Sequence, residues 1–123
     1  MSTLVNKIIS KHGHLNSVSP GEIVIVDVDA IYIQDGNSPT IQKLFKDYNF
    51  DKVFDPNKIL VFFDHSVLPP NTLIANLLSE AETFSRALGL KIFKAGEGIS
   101  HIVALENNIF KTGSIVLGSD SHT

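Results

Sequence analysis

A chain of 123 residues with 43% hydrophobic content is long enough for one compact domain with its own core and too short for two, so residues 1–123 are read as one unit. A formal net charge of -3 excludes a blanket attraction to nucleic acid or to an anionic membrane surface, and no apolar run approaches the roughly 20 residues of a membrane span. There is no cysteine, which excludes a disulfide framework and an iron-sulfur cluster held by the chain's own thiolates; with no signal-like start, a cytoplasmic location is expected.

Leu4, Val5, Ile8 and Ile9 recur at helical spacing behind Ser2 and Thr3, and Gly13 is placed to end that helix. Beyond the turn signal Ser19-Pro20-Gly21, the β-branched run Ile23 to Ile33 predicts one long strand or two short ones, with alternation setting Asp27 and Asp29 on one face. Ser38 before Pro39 reads as an N-cap followed by proline at the first helical position, and Ile41, Leu44, Phe45 and Tyr48 form the stripe of the helix that follows. Ile59 to Phe63 is a short apolar run of the kind buried on both faces of a parallel sheet, and it ends at Asp64-His65. Past Pro69-Pro70, the spacing of Leu73, Leu77, Ala81, Phe84 and Leu88 marks a helix about five turns long, closed by Gly89. A brief strand, Lys91 to Phe93, precedes the stretch Gly96-Glu97-Gly98-Ile99-Ser100-His101. A last strand, Ile115 to Leu117, runs into Gly118-Ser119-Asp120-Ser121-His122-Thr123.

Strands alternating with helices predict an α/β fold with three layers and a mainly parallel sheet. Ligands of such sheets bind beyond the carboxyl ends of the strands, and here three strands end in polar clusters: Gln34-Asp35, Asp64-His65 and Asp120-Ser121-His122. Each cluster also has an ordinary reading. Asp64-His65 alone is a turn and capping pair, His101 a satisfied core histidine, Asp120 to His122 an exposed tail, and Gln34-Asp35-Gly36-Asn37 a turn. The functional readings differ in kind. A carboxylate beside an imidazole makes His65 a general acid, but only where the chain turns, because neighbours on regular structure face apart. His101 would exchange a proton beside the glycine loop. A Ser-His-Asp triad finds little support, for there is no G-x-S-x-G elbow.

Taken together and in order, Ile33-Gln34-Asp35-Gly36, Phe63-Asp64-His65-Ser66-Val67, Gly96 to His101 and Gly118 to Thr123 resemble the aconitase superfamily. Pro20-Gly21-Glu22, the turn after Gln34-Asp35 and Val53-Phe54-Asp55-Pro56 look most like its 3-isopropylmalate dehydratase and homoaconitase large subunits. The resemblance implies the N-terminal part of a large-subunit domain, truncated before the cluster cysteines. It implies a hydro-lyase that moves a hydroxyl between adjacent carbons of a small 2-hydroxy di- or tricarboxylic acid by dehydration and rehydration. By the resemblance, Asp64 and His65 protonate the leaving hydroxyl, while His101, Asp120 and His122 bond the iron-bound water and orient one another. Gln34 and Ser121 match contacts to substrate carboxylates. A 4Fe-4S cluster is implied for the full-length parent and none for this chain alone, with no metal ligands assigned here; a further C-terminal portion and a small subunit are the implied partners. Where many relatives carry glutamine after the histidine matched by His101, this chain has Ile102.

Aconitase, dimethylmalate and phosphinomethylmalate hydratase relatives share these motifs, as would an inactive remnant or a domain that only binds. The rival from another enzyme class is a phosphatase of the haloacid dehalogenase type, in which Asp27 and Asp29 would end an apolar strand and hold Mg2+.

Overall fold

In the computed structural model, which describes residues 2–121 and 123, the strands are β1 (Ala30–Gln34), β2 (Ile59–Phe62), β3 (Lys91–Phe93) and β4 (Val116–Gly118). They pair in the order β3-β2-β1-β4, and every described pairing is parallel. Ile31 stands beside Ile59, Phe62 beside Phe93 and Tyr32 beside Gly118. All four residues of β2 are buried, as an apolar run with a parallel neighbour on each side requires.

Strand alternation divides the apolar residues between two cores. On one face Tyr32, Leu60, Phe62 and Phe93 pack with Val103 and Ala104 of helix α4 (Ser100–Glu106). On the other, Ile33, Ile59, Val61 and Phe63 meet Ile41 of α2 (Ser38–Asp47) and Leu78 and Ala81 of α3 (Thr72–Ala87). Helices on both faces give the three expected layers. Phe62 stacks on Phe93 with ring centroids 4.6 Å apart and takes the edge of Tyr32 at 5.5 Å. Burying a side chain of this size contributes about 1.5–3 kcal/mol, so these rings anchor the sheet that carries the polar ends.

The helix ends follow local chemistry where a cap is present. Helix α1 (Leu4–His12) starts with the Thr3 hydroxyl accepting the Asn6 N–H and ends at Gly13, while Asn71 caps α3 through Ile74 N–H. Ser38 departs from expectation. It is the first helical residue of α2, and Asn37 in the cap position spends its amide on the carbonyl of Ser119. The stripe of α2 is also only partly covered, for Leu44 and Tyr48 are exposed whereas Phe45 meets Phe84 edge-on at 5.1 Å.

Two further differences stand out. Of the run Ile23 to Ile33 only the end from Ala30 joins the sheet, because the N–H groups of Asp27 and Asp29 go to the carbonyls of His12 and Ile115 instead. Alternation persists before it, leaving Ile23 and Ile25 exposed. Helix α4 carries no cap signal in its own sequence. Ile99 offers no side-chain bond, and the Ser100 N–H is accepted by Asp64 Oδ2 at 2.7 Å, 36 positions away in the chain.

Candidate active site

Strand β1 is followed in sequence by β2 on one side of it and flanked by β4 on the other, so the carboxyl end of β1 is a point where the direction of winding changes. In open α/β sheets, ligands bind where the loops part at such a point. Gln34 ends β1; its N–H donates to Ser119 Oγ at 3.1 Å and its Nε2 to Asp120 Oδ1 at 3.2 Å, tying the ends of β1 and β4 together. At the end of β2 the chain bends at His65. That bend brings neighbours face to face, with His65 Nδ1 donating to Asp64 Oδ1 at 2.8 Å. The other ring nitrogen, Nε2, lies 3.6 Å from Asp120 Oδ1, and His101 in the first turn of α4 approaches Asp120 Oδ2 at 3.4 Å.

Burial separates the roles. The Asp64 and Asp120 side chains are each 6% exposed, whereas the His65 ring above them is 46% exposed. Burial pushes the Asp64 carboxyl up, but the N–H and hydroxyl of Ser100 and the ring of His65 outweigh it and hold the group below its ordinary 3.8. The hydrogen bond that His65 donates to Asp64 raises the imidazole above 6.5, opposed by partial burial and aided by the charges of Asp64, Asp35 and Asp120. The arrangement is a half-exposed imidazole, its protonated form favoured, held over buried carboxylates. Beneath it, burial raises the Tyr32 phenol above 10; its hydroxyl lies 3.3 Å from Ser100 Oγ and its ring meets His101 edge-on at 5.7 Å.

The structure thus brings Gln34, Asp64, His65, His101 and Asp120 to one edge of the sheet. Ser121 is exposed in the turn after Asp120, and His122 lies outside the described residues. Sequence reasoning placed Asp35 in the polar cluster that ends β1 but gave it no role; it is buried and accepts the N–H groups of Gly36 at 2.9 Å and Ser66 at 3.0 Å. The only local signal was a carboxylate at a strand end, followed by glycine. Asp35, Asp64 and His65 bring ligand-type atoms within 4.8 Å of one another, but those atoms are engaged by backbone N–H groups and by each other, so they form a hydrogen-bonded unit.

Asp27 and Asp29 are placed differently. Both precede β1, at the amino end of the sheet, and pair with His14 at 3.0 Å and His12 at 2.7 Å. A phosphatase aspartate pair would have to follow its strand, so the haloacid dehalogenase alternative does not fit this geometry.

The family model of the aconitase family (aconitate hydratase) matches residues 6–123, nearly the whole chain, and the chain belongs to this family. It is 35% identical over 123 residues to the 3-isopropylmalate dehydratase large subunit of Sulfurihydrogenibium sp. and 38% identical over 121 residues to 3-isopropylmalate dehydratase large subunit 1 of Thermotoga maritima. With the methanogen homoaconitase large subunit of Methanocaldococcus jannaschii it shares 42% identity over 124 residues. Each alignment covers 98% of this chain and 28% of the relative, so the chain spans little more than a quarter of the length of these proteins. The donors found here are carboxylate oxygens and imidazole nitrogens in a sequence without cysteine, and they do not fit a sulfide-bridged iron cluster as its ligands.

Proposed function

We propose that this chain supplies the proton-donor side of a hydro-lyase that isomerises a 2-hydroxy dicarboxylic acid by dehydration and rehydration, with 3-isopropylmalate, and so leucine biosynthesis, the leading candidate. The observation that carries this reading is the half-exposed His65 ring, held by Asp64 at Nδ1 with its Nε2 turned toward Asp120. Hydroxide is a poor leaving group, and a proton delivered as its bond breaks removes the developing charge. In this reading His65 Nε2 gives that proton, and Asp64 keeps the ring charged until it is needed. On rehydration the neutral ring takes a proton from the attacking water. Asp120 and His101 orient the reacting oxygen, His122 joins them by the family match, and Gln34 and Ser121 contact substrate carboxylates.

Among the described residues the ion pairs of Asp35, Asp64 and Asp120 are all with histidine. In this reading a doubly charged acid also draws on cationic groups from elsewhere. The proposal assigns these, the catalytic base and the thiolates of a 4Fe-4S cluster to polypeptide outside these residues, including a small subunit, in the cytoplasm. Such a cluster supplies Lewis-acid help to the hydroxyl. No described helix is long and apolar enough to cross a membrane.

A homoaconitase activity is the second reading, favoured by the 42% identity to the methanogen subunit. The test joins residues 1–123 to the remaining large-subunit sequence and the small subunit of a relative, reconstitutes the complex anaerobically, and assays both acids. Turnover should appear, and His65→Ala should reduce it by about 10²–10⁴-fold, the usual worth of a positioned acid. A complex active without His65 would refute the assignment.

A further inference from the structure

We infer that Asp35 is a positioning residue for His65. It rests on the acid role proposed for that histidine and adds a carboxylate beneath it that touches no reacting atom.

Asp35 directly follows β1, and its side chain is 1% exposed. One oxygen accepts the N–H of Gly36 at 2.9 Å; the other crosses to the next loop and accepts the N–H of Ser66 at 3.0 Å. Ser66 is the residue after His65, so this bond pins the backbone on the far side of the bend that turns His65 back onto Asp64. Asp64 holds the near side through the start of α4 at Ser100. The bend is thus clamped at both ends by buried carboxylates from two strands. Without the Asp35 clamp, residues 65–71 have no regular structure to hold the bend in this one conformation.

Asp35 also acts on charge. Its Oδ1 lies 3.8 Å from His65 Nδ1, beyond a hydrogen bond but close enough to favour the protonated ring. Among the described residues the titratable groups facing that ring are Asp35 from the end of β1, Asp64 from the end of β2 and Asp120 beyond β4, with His101 of α4 reaching it through Asp120.

The experiment compares wild type, Asp35→Ala and Asp35→Asn by amide exchange at Ser66 and by nitrogen-detected histidine titration of the 123-residue chain. Asp35→Ala should speed Ser66 exchange at least about tenfold, as loss of a bond to a charged acceptor does, and lower the His65 midpoint. Asp35→Asn keeps an acceptor for Ser66; protection should recover largely while the midpoint stays low. In the assembled enzyme kcat should fall in Asp35→Ala with KM changed less than about twofold, since proton delivery matters in the transition state. A wild-type assembly with no turnover defeats the proposed function and leaves the titration to judge Asp35. An unmoved His65 midpoint in Asp35→Asn overturns the inference, even if Asp35→Ala does not fold.

Discussion

Asp64 Oδ1 and His65 Nδ1 lie 2.8 Å apart, a contact between neighbours that neither a strand nor a helix permits. It exists because the chain bends at His65, and because the second oxygen of Asp64 is fixed to the amino end of α4. One carboxylate therefore holds both the His65 ring and the start of the helix that carries His101.

The pH range of this pair follows from its two shifts. The raised His65 contributes stability that is fully present below its unfolded value of 6.5 and is lost as pH rises through the folded value above it. The lowered Asp64 contributes stability present above 3.8 and lost as pH falls through its depressed folded value. The pair should be intact between those limits. Asp64→Asn should lower the His65 midpoint, read by histidine NMR titration; an unchanged midpoint would show that the contact does not set the charge.

Helix α1 should be fastened in a pH-dependent way. Backbone bonding to Ile8 and the contact with Asp29 raise His12 above 6.5, while Asp29, held also by Ile115 N–H, is lowered. The clasp is fully present below 6.5 and is lost as pH rises through the folded value of His12. Amide exchange in residues 4–12, corrected for intrinsic rates, should be faster at about pH 8.5 than at about pH 6, and His12→Ala should abolish the difference.

Core packing makes a sharper test of the two-sided sheet. Phe62→Ala removes a fully buried ring from between Tyr32 and Phe93 and should cost about 3–5 kcal/mol in denaturant unfolding. Leu44→Ala, on the open part of the α2 stripe, should stay within about 0.5 kcal/mol. Equal costs would mean that the α2 stripe is buried after all.

Ser119→Ala should loosen the joint between the ends of β1 and β4. Its hydroxyl accepts the Gln34 N–H, and deleting it leaves that donor with a poorer partner at a cost of about 1–2 kcal/mol. The Asp120 environment should change with it, seen as a shift in the His101 resonances; a silent His101 would mean that the β1 and β4 ends are held independently.

Residues 1–123 alone should assemble no iron-sulfur cluster after anaerobic treatment with iron and sulfide, because carboxylates and imidazoles replace soft thiolates poorly. Visible absorption checks this directly. A stable cluster spectrum would overturn the assignment of its ligands to other polypeptide.

Local patterns carried much of the fold. The short apolar run at Ile59, the spacing from Leu77 to Leu88 and the capping signals at Thr3 and Gly13 each act over one turn or one strand, and the structure follows them closely. The polar strand ends marked Gln34-Asp35, Asp64-His65 and Asp120-Ser121-His122 as converging, since parallel strands deliver their carboxyl ends to one edge, whereas His101 was joined to them only through the family resemblance. What failed to show in the sequence depended on partners far along the chain. Helix α4 is capped by Asp64 rather than by its own N-cap residue, Asn37 gives its amide to Ser119 instead of capping α2, and the segment before Ala30 spends N–H groups on His12 and Ile115. Asp35 looked like a turn residue for the same reason. A buried carboxylate is defined by the donor that meets it, and for Asp35 that donor, Ser66 N–H, stands 31 positions away and is placed only when β1 and β2 pair.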